Sequence, residues 1–441
     1  MFTKAKKSLS KINYKLFLSL LVLGLAPTVY TTVRVFFLGS FPREYSFSIA
    51  GQLSWVNLLY EILSEAIVLP LYFFIGKVLT DKDEFANRMR TGLLVSVGAY
   101  TALSVIIMVF AKPLLTIMAA DKAIIEASAT YIRIESIASI FSLAFNFIMV
   151  GMVTIGKEKY VYILTAAKLV LCLLVDTFMV SSLPISLNLG VNGIAYSNII
   201  VNGILFVTAV VLMKKEGIAV FKKAKLSFAW MKDFLKVGGI SGLESFVRNI
   251  AYMLMIARMV NMVGEQGTYW VANNFIWGWL LLPVLQLGEL IRETATDENA
   301  VKNNSIGYFV ITAAICVLWC ISIPLWKPFM TYVLNFSDVD KLFELVMVLL
   351  GFYVLFALQN VFDSTFYGLG KTNYMLFESL VTNVIYYGGA FILYICGVWE
   401  PTLIGIALLF GIGNAFDSIV SLIAYVYLLK KKKINILYID V

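Results

Sequence analysis

Apolar positions in this chain fall in long unbroken runs separated by short polar stretches. Twelve runs read as helices: 15–39, 47–77, 92–119, 128–155, 159–181, 191–213, 233–263, 270–294, 306–334, 342–369, 374–398 and 402–429. Each holds about 20 residues or more, the length that crosses roughly 30 Å of hydrocarbon. The runs do not alternate apolar and polar residues, so a transmembrane barrel is excluded. The second and seventh are longer than a span needs and are expected to tilt or bend. The pattern predicts an all-α membrane protein with 12 transmembrane helices.

The polar stretches set the orientation. The N-terminus (Lys4, Lys6, Lys7, Lys11, Lys15), the loops after helices 2, 4, 6, 8 and 10 and the C-terminal Lys430–Lys433 hold most of the basic residues. The loop after helix 6 is the richest, with Lys214, Lys215, Lys222, Lys223, Lys225, Lys232 and Lys236, while the loops after helices 5, 7 and 11 have none. By the positive-inside rule both termini are expected on the cytoplasmic side of the cell membrane. The basic loop also divides the chain into an N-lobe (1–213, helices 1–6), a linker (214–232) and a C-lobe (233–441, helices 7–12).

Composition removes several function classes. Of 441 residues, 60% are hydrophobic and 14% charged, against about 25% charged in soluble domains. The net charge of +8 sits at membrane boundaries, so it does not point to nucleic acid. The first run is too long for the apolar core of a signal peptide and lacks a cleavage site, so it reads as a spanning helix. No histidine is present, which removes the commonest general base and metal ligand. Cys172, Cys316, Cys320 and Cys396 all lie in apolar runs and read as small buried hydrophobes. Neither a nucleophile–base pair nor a metal site is evident, so no catalytic residue, resident cofactor or metal is expected. A nucleotide-driven pump is disfavoured because the phosphate-binding Gly-x-x-x-x-Gly-Lys-Ser/Thr loop is absent.

The two halves repeat. "FNFIMVGMVTIGKEKY" (145–160) aligns with "QNVFDSTFYGLGKTNY" (359–374), matching Asn146, Gly156, Lys157 and Tyr160 to Asn360, Gly370, Lys371 and Tyr374. "GIAYSNIIVN" (193–202) aligns with "GIALLFGIGN" (405–414), matching Gly193, Ile194, Ala195 and Asn202 to Gly405, Ile406, Ala407 and Asn414. The offsets are 214 and 212 residues. Six spans per half give both halves one orientation, with the repeat axis along the membrane normal. Such a chain can open a central cavity to either side by rocking.

These segments resemble the multidrug and toxic compound extrusion (MATE) family, within the multidrug/oligosaccharidyl-lipid/polysaccharide (MOP) flippase superfamily. "LGLAPTVYTTVRVFFLG" (23–39) resembles its first helix, "IGKVLTDKDEF" (75–85) its turn after helix 2, "LLVDTFMV" (173–180) its fifth helix and "GVNGIAYSN" (190–198) the opening of its sixth. The resemblance implies two pseudo-symmetric six-helix lobes and an exporter driven by an H⁺ or Na⁺ gradient. It also implies an N-lobe cation site at Arg34, Asp176 and Asn198. Here the chain departs from the family pattern, which commonly has aspartate where Arg34 stands and asparagine where Cys172 stands.

Arg34 and Asp176 each lie five residues from the outer end of their helix, about 7–8 Å deep at 1.5 Å per residue. An unpaired charge near mid-membrane costs roughly 2.5–3.5 kcal/mol on insertion scales, so the two are expected to pair, with snorkelling of Arg34 as the alternative. A carboxylate held by Arg34 binds H⁺ or Na⁺ poorly, so coupling requires another acid. Glu61 and Glu65 share a face of helix 2 and have no obvious internal partner. Glu244 with Arg248, and Glu289 with Arg292, are spaced as local pairs. Asp363 and Asp417 lie on helices 10 and 12. Lys168 and Glu378 near the inner side, and Arg133 and Arg258 near the outer, read as snorkelling residues. The candidate set for transport and coupling is Arg34, Asp176, Asn198, Asn202, Glu61, Glu65, Glu244 and Glu289.

The expected function is a secondary-active, monomeric exporter of small amphipathic or cationic molecules in the lipid bilayer, not an enzyme. The competing expectation is a flippase for a lipid-linked or anionic substrate, with Arg34, Arg248 and Arg292 as contacts, since guanidinium matches phosphate and carboxylate.

Overall fold

The computed structural model describes residues 2–40, 45–218, 220–221 and 226–436. Lys222, Lys223 and Lys225 of the expected linker lie outside these residues. All twelve expected spans are helical. Among the described residues, nine helices are long and apolar enough to cross a membrane, and a tenth is formed by a bent pair.

One compact unit comprises Val33–Trp270. It contains the end of α2 (Tyr14–Gly39), then α3 (Ser46–Gly76), α4 (Lys82–Ile117), α5 (Ile125–Thr154), α6 (Glu158–Met179), α7 (Val191–Lys215), α8 (Met231–Tyr252), a π-helical stretch Met253–Ala257 and α9 (Arg258–Met262). The other unit comprises Met1–Thr32 with Val271–Val441. It holds α1 (Phe2–Ser10), most of α2, the second half of α10 (Gln266–Phe275), a π-helical stretch Ile276–Leu280, α11 (Leu282–Thr294), α12 (Glu298–Tyr332) and α13 (Val339–Gly368). It continues through α14 (Thr372–Val381), a π-helical stretch Thr382–Tyr387, α15 (Gly388–Ile395) and α16 (Leu403–Lys431). This division by packing differs from the division at 214–232, because α8 packs along α3 within the first unit.

Helix ends follow local chemistry. Asp81 caps α4 by accepting from the amides of Asp83 and Glu84 at 3.1 and 3.0 Å. Asp297 caps α12 through Ala300 at 2.7 Å. Both helices therefore begin two to three turns before the apolar runs that announce them, because a capped polar turn propagates a helix as readily as an apolar one. The basic N-terminus, expected as a flank, forms α1 against α12: Ser8 Oγ donates to the Asn303 carbonyl at 2.7 Å and accepts from the Gly307 amide at 2.8 Å.

The expected bend in helix 7 takes the form of a π-helical stretch in a continuous rod, Met231–Met262. The sharp bend lies in the eighth span, 52° between Gln266–Leu280 and Leu282–Thr294. Pro283 there cannot donate the amide hydrogen bond that would carry the helix through.

The repeat recurs in backbone detail. Gly156 and Gly370 take positive φ, 71° and 65°, after α5 and α13. At the first turn Lys157 N bonds Met152 O at 2.9 Å and Gly156 N bonds Val153 O at 2.9 Å; at the second Lys371 N bonds Phe366 O at 2.7 Å and Gly370 N bonds Tyr367 O at 2.9 Å. Both are left-handed caps of the same kind, for which glycine is the low-cost residue. At the first, Lys157 pairs with Glu216 at 2.8 Å and Tyr160 donates to Glu216 at 3.0 Å. The Lys157 hydrogen bond holds the Glu216 carboxyl below its ordinary range, and the same contact raises Lys157.

Candidate functional site

Among the described residues, three centres of acidic side chains within the bundles bear on transport: two lie in the Val33–Trp270 unit, of which the one around Arg248 is partly exposed, and one lies in the other unit.

The first centre contains Arg34 near the end of α2. Its Nε is 2.7 Å from Asp176 Oδ2 and its Nη2 is 3.2 Å from Oδ1, a two-pronged contact. Nη2 also donates to Asn198 Oδ1 at 2.8 Å, and Asn198 Nδ2 donates onward to Glu135 Oε1 at 2.7 Å. The amide thus passes a hydrogen bond from a cation on α2 to an acid on α5, with both of its ends used correctly. Arg34 and Glu135 are each 8% exposed and Asp176 is fully buried. Glu135 Oε2 is buried without a hydrogen-bond partner. One turn along the same helices, Leu38, Tyr131, Val180 and Ile194 pack together with Ala50, Val191 and Ala195. Asn202, one turn from Asn198, is buried; its Oδ1 has no partner and it does not join the chain.

The second centre contains Arg248 on α8. Its Nη2 is 2.6 Å from Glu65 Oε1, its Nη1 3.2 Å from Glu61 Oε1 and its Nε 3.4 Å from Glu244 Oε1. Glu61 and Glu65, expected to lack an internal partner, have Arg248. The contact depends on how closely α3 and α8 cross. A Cβ at Gly238 would overlap the Ala66 carbonyl, and one at Gly242 would sit 2.8 Å from Ala66 Cβ. Arg248 is not solely a local partner of Glu244; it ties two helices far apart in sequence.

The third centre surrounds Gln359 on α13. Its Nε2 donates to Glu378 Oε1 and to Asp417 Oδ2, both at 2.7 Å, and its Oε1 accepts from Ser418 Oγ at 2.8 Å. Thr382 donates to Asp417 Oδ1 at 2.6 Å and Ser421 to Asp363 Oδ1 at 2.6 Å. Glu378, read from the sequence as a snorkelling residue, is only 3% exposed. It starts near a helix end, but α13 and α16 enclose it.

Glu289 and Arg292 form an exposed local pair at 2.7 Å, with the guanidinium 4.6 Å from the Tyr367 ring centroid. Arg133 donates to the Met108 carbonyl at 3.0 Å. Lys168 lies 5.7 Å from the Phe145 ring centroid.

Sequence reasoning missed Glu135. Counting from the expected outer end of helix 4, it lies about 10 Å deep at 1.5 Å per residue, near the depth of Arg34 and Asp176, so the same depth argument reaches it. It also missed that Arg248 follows Arg34 by 214 residues, the offset of the turn repeat, with Gly24 and Val33 matching Gly238 and Val247.

Comparison with known proteins follows the same lines. Residues 74–178 match the MatE family model. A probable multidrug resistance protein of Bacillus subtilis, YpnP, is 26% identical over 197 residues, 44% of this chain and 42% of that protein. The match thus spans less than half the length of that relative. An inward-facing structure of a multidrug resistance MATE family transporter of the MOP superfamily aligns over 92% of this chain and 95% of its own, with 18% identity and a TM-score of 0.76. A MOP superfamily transporter from Pyrococcus furiosus, described as having a binding pocket of reverse polarity that suggests a different function, aligns over 97% of this chain and 98% of its own, with 17% identity and a TM-score of 0.69. The Vibrio cholerae MATE transporter VcmN aligns over 97% and 98%, with 13% identity and a TM-score of 0.67. The chain is an all-α membrane protein with the fold of the MATE transporters, and its residues 74–178 match the MatE family model.

Proposed function

We propose that this chain is a secondary-active exporter of small organic molecules, amphipathic or cationic, coupled to an H⁺ or Na⁺ gradient and working by alternating access of its two duplicated lobes. The observation that carries this reading is the charge balance of the three centres within the bundles. Two carboxylates accompany Arg34, three surround Arg248 and three cluster at Gln359. Acids outnumber the guanidiniums, and an interior of that sign favours cations, whether coupling ion or cargo.

The competing reading, a flippase for an anionic or lipid-linked substrate, draws on Arg34 standing where the family pattern has an acid. The local geometry weighs against it. Arg34 is engaged by Asp176 and Asn198, Arg248 by three glutamates, and Arg292 by Glu289. An anion would have to displace a carboxylate from each.

The test is flux in proteoliposomes under separately imposed H⁺ and Na⁺ gradients, with a cationic dye and an anionic amphiphile as alternative cargoes. Gradient-driven movement of the dye supports the exporter. Movement of the anionic amphiphile alone refutes it in favour of the flippase.

A further inference from the structure

The third centre has a feature that hydrogen bonding inside the protein leaves open. Glu378 Oε1 is served by Gln359, but Glu378 Oε2 is buried and has no partner. Gln359 cannot help, because both of its amide protons are already given, one to Glu378 and one to Asp417. The other donors are committed as well: Thr382 to Asp417, Ser421 to Asp363 and Ser418 to the Gln359 carbonyl. The acids that face Glu378 are Asp363 from α13 and Asp417 from α16. No lysine or arginine is hydrogen-bonded or ion-paired to Asp363 or Glu378 among the described residues. Both therefore belong to an enclosure of acids and neutral donors, unlike the two centres built on arginine.

A buried carboxylate oxygen without a donor, facing further carboxylates, needs a positive charge or a proton of its own. No group of three Cys, Asp or Glu side chains among the described residues is arranged to hold a metal ion, and a proton needs no such set of ligands. We propose that Glu378, Asp363 and Asp417 form a proton-binding site, with one exchangeable proton carried by the Glu378–Asp363 pair and Gln359 holding the acids in register. Binding turns a carboxylate into a carboxyl, and release returns the proton to water through Asp363 and Asp417, which are less deeply buried than Glu378. The π-helical stretch Thr382–Tyr387 begins at the residue that holds Asp417. Such wide turns insert a local irregularity at functional positions, and here a change in the turn would alter a ligand of the cluster directly. That the proton drives export rests on the exporter reading; that the site holds a proton does not.

The experiment is infrared difference spectroscopy on the full chain in lipid nanodiscs, in H₂O and D₂O, reading the C=O stretch of protonated carboxyls at pH 7. The expected result is a deuterium-sensitive carboxyl band in the parent protein. The band is lost in Glu378→Gln, lost or displaced in Asp363→Asn and unchanged in Glu126→Gln, an exposed acid elsewhere. Asp363→Asn keeps the assay decisive where Glu378→Gln fails to fold, and a band indifferent to the variants that fold overturns the proposal. Dye flux in proteoliposomes separates the two claims. A parent protein that has the band but moves no cargo under any gradient refutes the exporter reading alone. A parent that exports under an H⁺ gradient without the Glu378-dependent band refutes the proton site alone. With both claims correct, Glu378→Gln lowers H⁺-driven flux at least tenfold while downhill equilibration of the dye persists.

Discussion

Breaking the Arg34–Asp176 pair from either side tests how the first centre is held together. Removing one member of a buried ion pair costs about 3–5 kcal/mol, because it strands the other charge. The two sides are not equivalent. After Arg34→Met, Asp176 is a carboxylate with no exposed surface and without the two guanidinium contacts at 2.7 and 3.2 Å. After Asp176→Asn, Arg34 keeps its bond to Asn198 at 2.8 Å and the nearby negative charge of Glu135. Arg34→Met is therefore expected near the upper end of that range and Asp176→Asn near the lower. The combined Arg34→Met/Asp176→Leu variant is expected to recover at least ~2 kcal/mol of the summed loss, since neither charge is then stranded. In a chain of this size ~1 kcal/mol moves the unfolding midpoint by about 1–2 °C, scaled from smaller domains. The shifts are then roughly 5–10 °C for Arg34→Met and 3–6 °C for Asp176→Asn, read by thermal unfolding in one detergent at one scan rate. A coupling below ~0.5 kcal/mol, within ordinary additivity, refutes the pair as a stabilising unit. A reversed order of the two single variants refutes the assignment of which charge is more deeply stranded.

Glu135→Gln keeps an acceptor for Asn198 and is expected to unfold within ~1 kcal/mol of the parent, whereas Glu135→Leu strands Asn198 Nδ2 and loses about 1–3 kcal/mol; thermal unfolding separates them. Gly238→Ala drives a methyl into the Ala66 carbonyl and is expected to cost about 1–3 kcal/mol or more, while Gly239→Ala, with nothing within 4 Å of its Cβ position, leaves the melting curve in place. The Lys157–Glu216 contact sets a pH window for its turn. Glu216 is depressed in the fold, so its contribution is present above its unfolded value of 4.5 and is lost as pH falls through the lower folded value. Lys157 is raised, so its contribution is present below 10.5 and is lost as pH rises through the higher folded value. Amide protection factors at Gly156–Tyr160, corrected for the intrinsic exchange rate at each pH, are expected to fall in acid, and Glu216→Gln is expected to show that lower protection already at pH 7.

Depth along a helix is legible in a sequence and lateral packing is not, and the three centres divide along that line. Arg34 and Asp176 could be matched because each sits about one and a half turns from the same face. Glu135 answers to the same measure, but its helix also carries Arg133 two residues away, which draws the eye to the headgroup region. Glu61 and Glu65 looked unpartnered because their partner is on a helix almost two hundred residues later. Only Gly238 and Gly242, small residues one turn apart, hint that α8 has a partner at close range. Glu378 looked peripheral because it is shallow, yet burial in a bundle depends on neighbours as well as depth. The polar first turns of α4 and α12 were lost for a related reason, since hydropathy reports the hydrocarbon-length part of a helix and not where capping starts it.

The duplication links the first two centres and explains why they differ. Arg34 and Arg248 occupy equivalent positions in the repeat, 214 residues apart. Applying the same offset to Asp176 gives Ala390, so the second half has no counterpart of the acid that engages Arg34. A guanidinium at membrane depth without a carboxylate carries a cost of roughly 2.5–3.5 kcal/mol, and Arg248 meets it with Glu61 and Glu65 of α3 and Glu244 of its own helix. That substitution of partners has a structural consequence: it fastens α8 to α3 by charge where Gly238 and Gly242 fasten it by close approach, and it places the first helix of the second repeat inside the Val33–Trp270 unit. With the aspartate counterpart gone from α15, the second half is left to gather its acids around a glutamine, and Gln359 brings together α13, α14 and α16 with no arginine among its partners.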